Sequence, residues 1–216
     1  MKIIRSYTLR TLLLCIGVCL ALSIASAQTG KLALQSLVSS TAQRLEKGAK
    51  VSFSSQLFDA KGTQIQSTQG TLYTLGKKFR LRYSPIDANY DGRVFSYYDA
   101  DERTFTIMNP STEDLAMLNP FVFFSSSPSV YRVQELAGSK TARIVAFTPK
   151  KKMNNILKFE VSFLHKTNAP SQIVGIFADG MRLVMSIASL EDYKPSSQMF
   201  IQKQTSYPNS ELVDLR

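Results

Sequence analysis

Side chains able to do covalent chemistry are few in this 216-residue chain, and they are scattered. There is one histidine, His165, and the two cysteines, Cys15 and Cys19, both fall in an apolar N-terminal run. His165 closes a strand-like run ahead of Lys166, Thr167 and Asn168. As a general base it would need a nucleophile elbow or a carboxylate arranged around it, and no such pattern is present. It reads as a strand-end surface residue. The acidic run at Asp99, Asp101 and Glu102 has neither calcium-loop spacing nor a carboxylate pairing that sequence can fix, so it reads as a turn between strands. Metal binding would need several His or Cys ligands, and no glycine-rich phosphate loop occurs. The residues therefore point away from an enzyme and call for no cofactor and no metal. The basic run Lys150, Lys151, Lys152 reads as a solvated hairpin end, with acidic head groups or an acidic partner patch as its functional alternative.

The elements that would position any site begin after residue 27. MKIIRSYTLR is a basic stretch, TLLLCIGVCLALSIA is uncharged, and Ala25-Ser26-Ala27 fits the small-x-small cleavage rule, which together describe a secretory signal peptide. The organisation expected is a removed leader, 1–27, and a single domain, 28–216. Of 26 basic residues, Lys2, Arg5 and Arg10 leave with the leader, so 23 remain against 16 acidic ones, about +7. Export makes nucleic acid a poor partner for that charge, which reads as solvated surface. The exported chain carries no cysteine, so no disulfide can hold it and its own core must.

Leu34, Leu37, Val38 and Leu45 recur at helical spacing, and Gly48 stands where a helix C-cap belongs. From Lys50 the period changes to two, through Val51, Phe53 and Leu57 as far as the turn-like 59–62. Strand-like runs follow at 65–75, 78–84, 93–98, 103–108, 130–136, 142–148, 156–165, 172–177, 182–190 and 198–204, with Asp91-Gly92 and Asp179-Gly180 as hairpin signals. The fold class predicted is mainly β: a large antiparallel sheet that curls into a barrel or splits into a sandwich, led by one amphipathic helix. The apolar alternation is unusually aromatic, and a barrel that stays incomplete leaves an apolar hollow. The stretch EDLAMLNPFVFF, 113–124, is far too short to cross a bilayer, for which roughly 20 apolar residues are needed. It must be buried or cover something.

The order of these elements resembles the LolA family, periplasmic carriers that move lipoproteins from the inner to the outer membrane of Gram-negative bacteria. The resemblance rests on Gly70, Leu72 and Tyr73; Phe79 and Leu81; Asp91, Gly92, Phe95 and Tyr97; the proline-led Pro120, Phe121, Val122, Phe123; FTPKK with ILKFEVSF; and the closing VDLR. It implies an unclosed half-barrel whose concave apolar face is covered by short helices, with acyl chains as ligand. The implied lining and lid are Phe53, Tyr73, Phe79, Leu81, Phe95, Tyr97, Phe105, Leu115, Leu118, Phe121, Val122, Phe124, Phe147, Phe159 and Phe163. Partners implied are acylated lipoproteins as cargo, an inner-membrane ABC-type release complex and an outer-membrane acceptor, met by a monomer in the periplasm. A lipid-sensing or purely protein-binding envelope module on the same fold is the alternative. One departure stands out: where the family has an Arg-Pro pair that helps hold its lid closed, this chain has Gly76, Lys77 and Lys78. Closure must be controlled differently.

Overall fold

Twelve strands pair into one sheet in the computed structural model, which describes residues 32–126 and 129–216; the expected leader lies outside these residues. Residues 32–47 are helical (α1), and the helix ends at Gly48, whose φ of +119° is the left-handed cap that glycine adopts without strain. Leu34, Leu37, Val38 and Leu45 are all buried, as their spacing predicts. Residues 39–216 are one compact unit. Its strands are β1 (Ala49–Phe58), β2 (Gln64–Leu75), β3 (Lys78–Tyr83), β4 (Ile86–Tyr90), β5 (Phe95–Asp99), β6 (Thr104–Met108), β7 (Tyr131–Leu136), β8 (Ala142–Pro149), β9 (Ile156–Leu164), β10 (Pro170–Phe177), β11 (Arg182–Asp192) and β12 (Glu211–Asp214). Two short helices, α2 (Thr112–Leu118) and α3 (Val122–Ser126), connect β6 to β7.

The sheet order is β12-β6-β5-β4-β3-β2-β1-β11-β10-β9-β8-β7. Two antiparallel meanders, β1 to β6 and β7 to β11, join where β1 pairs with β11, and only β12 on β6 is parallel. β12 and β7 are the two edges and do not pair with each other, so the sheet is an unclosed half-barrel. Turns fall where their residues require. The Asp59 carboxylate accepts from the backbone N–H of Lys61 and Thr63, that of Asp91 from Arg93 and Val94, and that of Asp99 from Asp101 and Glu102. The acidic run is thus a turn between β5 and β6.

Register decides which side chains share a face, because directly opposed residues project the same way. The row Val51, Leu72, Leu81, Ala88, Tyr97 crosses five strands on the inner face, and its Leu81, Ala88 and Tyr97 lie under α2. The row Lys50, Tyr73, Arg80, Asn89, Ser96 lies on the outer face. There the chain between β11 and β12 forms a strap. Asn89 Nδ2 donates to the Phe200 carbonyl at 2.7 Å, Arg80 Nη1 to that of Met199 at 3.1 Å, and the Tyr207 ring stacks on Tyr98 at 4.3 Å.

This strap corrects one expectation. The run 198–204 is not a strand; it carries 3-10 turns at Ser197–Phe200 and Gln204–Ser206, because its carbonyls are taken by outer-face side chains rather than by a neighbouring strand. Two strands also escaped the sequence reading. β4 (IDANY) is short and carries Asp and Asn, which read as turn residues, and β12 has only four residues.

Candidate functional site

The segment 111–126 roofs part of the inner face, and its local chemistry explains its shape. Ser111 caps α2: its Oγ accepts from Asp114 N at 3.1 Å, while Asp114 Oδ2 accepts from Ser111 N at 2.8 Å. Asp114 is thus engaged at its own helix start. Glu113 reaches outward instead, and its carboxylate accepts from the backbone N–H of Asn155 at 2.6 Å and of Asn154 at 3.3 Å, in the β8–β9 loop. The helix stops at the buried Asn119, whose Oδ1 accepts from Phe121 N at 3.0 Å, and Pro120 breaks the backbone between α2 and α3.

Beyond that break the inner face is filled. The Phe123 ring lies 4.5 Å from Phe147 and 4.9 Å from Phe159, and Phe124 meets Phe147 at 5.5 Å and Phe163 at 6.1 Å, all five nearly or fully buried. Such ring pairs contribute about 1 kcal/mol each beyond area burial, so α3 is firmly seated on β8 and β9. Tyr131 joins this cluster with its hydroxyl buried and without a hydrogen-bond partner. Burial, helped by the nearby Glu113 charge, pushes its phenol up to about 12.

Under α2 the inner face is open. A hollow of about 490 Å³ is lined by Phe53, Ser55 and Leu57 of β1, Gln66 and Thr68 of β2, Leu81, Tyr83, Ile86 and Ala88 of β3 and β4, Phe95, Tyr97 and Met108 of β5 and β6, and Leu183 and Met185 of β11, with Asp114, Met117, Leu118 and Pro120 above. Its size is in the range of small-molecule sites, and its lining is largely apolar, with a few hydroxyl and amide groups and the Asp114 carboxylate. Gly70 shapes one wall. A Cβ there would stand 2.6 Å from the Phe53 ring and 2.7 Å from the Arg82 carbonyl, so only glycine lets Phe53 lie across β2.

Of the residues expected to line a hollow, Phe53, Leu81, Phe95, Tyr97 and Leu118 do so. Phe121, Phe124, Phe147, Phe159 and Phe163 are buried in or beside the aromatic cluster, and Phe79 is buried against Tyr90 and Phe95. Leu115 and Val122 are half-buried in the roof helices and are not among the lining side chains. Two expectations are corrected by register: Tyr73 and Phe105 face outward, Tyr73 against Tyr193 at 5.3 Å and Phe105 against Tyr207 at 5.7 Å. Sequence reading missed Met108, Met117, Leu183 and Met185. The β1 alternation through Leu57 already marks that end of the wall, but the β11 side chains enter only through the β1–β11 pairing, which no local pattern announces.

The remaining sequence-marked residues lie apart from the hollow. His165 is exposed, with Nε2 3.1 Å from the Ser139 carbonyl, and Asp101 is exposed in its turn. Gly76 and Lys77 form a two-residue turn from β2 to β3, in which Gly76 has φ +59° and donates its N–H to the Glu46 carbonyl at 2.8 Å. The place of the expected Arg-Pro pair therefore anchors the end of α1.

An unclosed antiparallel half-barrel, one half of its inner face filled by its own phenylalanines and the other left as a roofed apolar hollow, defines a class of binding folds. The family model of LolA, outer membrane lipoprotein carrier protein, matches residues 45–203, and the chain belongs to that family. None of the curated proteins matches it in sequence. Among solved structures, an uncharacterised conserved protein from Thermus thermophilus is similar, with TM-score 0.52, 9% identity, and 83% of this chain and 98% of that one covered. A LolA superfamily protein from Nitrosomonas europaea superposes with TM-score 0.43, 8% identity and coverage of 78% and 97%. For the lipoprotein LppX of Mycobacterium tuberculosis the values are 0.39, 10%, 76% and 97%. At 9% identity the likeness to the Thermus thermophilus protein is one of fold alone.

Proposed function

We propose that this protein is a periplasmic carrier that takes the acyl chains of lipoproteins into the hollow beneath α2 and moves them from the inner to the outer membrane, without chemistry on its cargo. The observation that carries this is the roofed hollow of about 490 Å³ with its largely apolar lining, in a chain of the LolA family. Exposing an acyl chain of ~16 carbons to water costs on the order of 12 kcal/mol at ~0.8 kcal/mol per CH₂, so lipidated cargo needs such a shelter in an aqueous compartment. Leu, Met and Phe contacts suit the task. They are non-directional, so they hold a chain without fixing its length, and the three methionines of the lining adapt their shape. The single-domain organisation after a cleaved leader, the monomeric state, an inner-membrane ABC-type release complex as donor and an outer-membrane acceptor belong to the same proposal.

The test is whether the protein lacking residues 1–27 retains an acylated peptide through purification, read by mass spectrometry, and exchanges it for a fluorescent acyl probe. Leu81→Asp and Leu118→Asp place a carboxylate on half-buried wall and roof positions where folding should survive. Loss of stoichiometric binding in both folded variants supports the carrier; a folded wild-type protein that binds no acyl probe overturns it. One observation favours a second reading, an envelope module that binds protein alone: Phe123 and Phe124 already fill the inner face over β8 and β9. That reading predicts the second outcome.

A further inference from the structure

The β8–β9 loop, residues 150–155, combines two features that meet nowhere else among the described residues. It holds the roof of the hollow through Glu113, whose carboxylate sits on the backbone N–H groups of Asn154 and Asn155. It also presents Lys150, Lys151 and Lys152 in succession, all exposed, with no ion pair to any of them among the described residues. The loop ends are anchored, Lys150 N donating to the Val130 carbonyl and Ala178 N to the Asn155 carbonyl, both at 2.9 Å, so the lysines stand on a fixed tip. Met117, one helical turn beyond Glu113, is 45% exposed, and Leu157, two residues past the loop, is 50% exposed. Unpaired cations with apolar neighbours are what an anionic bilayer surface attracts.

We propose that this loop docks on anionic phospholipid head groups and that docking unlatches α2. Head-group phosphates drawn to the three lysines compete with the Glu113 carboxylate for the Asn154 and Asn155 amides, and the negative surface potential repels that carboxylate at the same time. Both effects favour a roof released at the membrane and closed in solution. The unlatching rests on the reading of α2 as the roof of a cargo hollow; the docking does not.

Flotation of the leaderless protein with vesicles of phosphatidylcholine alone, or mixed with phosphatidylglycerol, tests the docking. Binding is expected only with phosphatidylglycerol, weakening as salt rises, and on the order of 100-fold weaker in the variant Lys150→Gln, Lys151→Gln, Lys152→Gln, since each lysine near an anionic surface contributes about fivefold. That variant should bind the acyl probe as wild type does. A dye on Met117→Cys, single because the exported chain has no other cysteine, reads the roof. Its emission should shift on phosphatidylglycerol vesicles and stand already shifted in Glu113→Ala without them, and no shift in either case overturns the unlatching. Equal binding to both vesicle types, or undiminished binding by the glutamine variant, overturns the proposal. So does capture of a polyglutamate peptide without capture of vesicles, which would assign the loop to an acidic protein. Vesicle docking without acyl-probe binding sinks the carrier reading and leaves the docking standing; probe binding without docking does the reverse.

Discussion

At the scale of single residues, the structure holds two positions where one atom decides the outcome. The Tyr131 hydroxyl is buried without a partner, so its desolvation is uncompensated. Tyr131→Phe should therefore leave stability unchanged or raise it by about 1 kcal/mol in denaturant unfolding, where loss of a satisfied hydroxyl would lower it. The same residue carries a pH dependence. Its phenol is raised to about 12 by burial, so the folded state keeps the proton longer than the unfolded chain, and the resulting stability is present below about pH 10 and lost as pH rises toward 12. Alkaline melting should be blunted in Tyr131→Phe, with a remainder from Tyr83, Tyr90 and Tyr207, which burial also pushes up. At Gly70, a methyl group meets both a ring and a backbone carbonyl within 2.7 Å. Gly70→Ala should cost about 1–3 kcal/mol by overpacking and, by displacing Phe53, should also weaken acyl-probe binding.

Among the elements, α2 is the informative one. Seven residues make a marginal helix, and only Ala116 within it is fully buried, so its position depends on its ends. Ser111 and Asp114 hold the start, and Glu113 ties it to the next loop. Ser111→Ala should loosen that start at about 1 kcal/mol and raise amide exchange across residues 112–118 while leaving the strands protected. By contrast α3, with Phe123 and Phe124 interlocked with Phe147, Phe159 and Phe163, should exchange only with global unfolding. The boundary between the two is Pro120. One half of the cover is anchored and the other is latched.

Across the whole molecule, the outer strap ties the end of the chain to the sheet. Asp87 accepts from Arg80 at 3.0 and 2.8 Å and from the Tyr207 hydroxyl at 3.0 Å, while Arg80 also donates to the strap carbonyl of Met199. Burial alone would raise the Asp87 carboxyl, but these contacts outweigh it and hold the group below its ordinary 3.8. With the folded value depressed, the stabilisation is present above about pH 4 and lost as pH falls below it. Asp87→Asn should cost about 2 kcal/mol at neutral pH, flatten acid denaturation, and release residues 197–207 to proteolysis without abolishing acyl-probe binding. Loss of probe binding in a folded Asp87→Asn protein would show that strap and hollow are coupled across the sheet.

What could be read from the residues in order was local. Alternation at Val51 and Phe53, the glycine-closed helix before Gly48, the Asp-Gly turns and the break at Pro120 each follow from backbone sterics and burial within a few residues, and from these the antiparallel β class and the amphipathic cover were legible. What the tertiary structure alone decided was non-local. Tyr73 and Phe105 carry the same aromatic signal as Phe95 and Tyr97, yet cross-strand register turns the first two outward, Phe105 beneath the strap. Leu183 and Met185 enter the hollow only because β11 returns to pair with β1 after the chain has passed through β2 to β10. Nor does the spacing between Glu113 and Asn155 carry any sequence period. Alternation states that a side chain has a buried face but not which surface buries it, and that choice belongs to pairings made far along the chain.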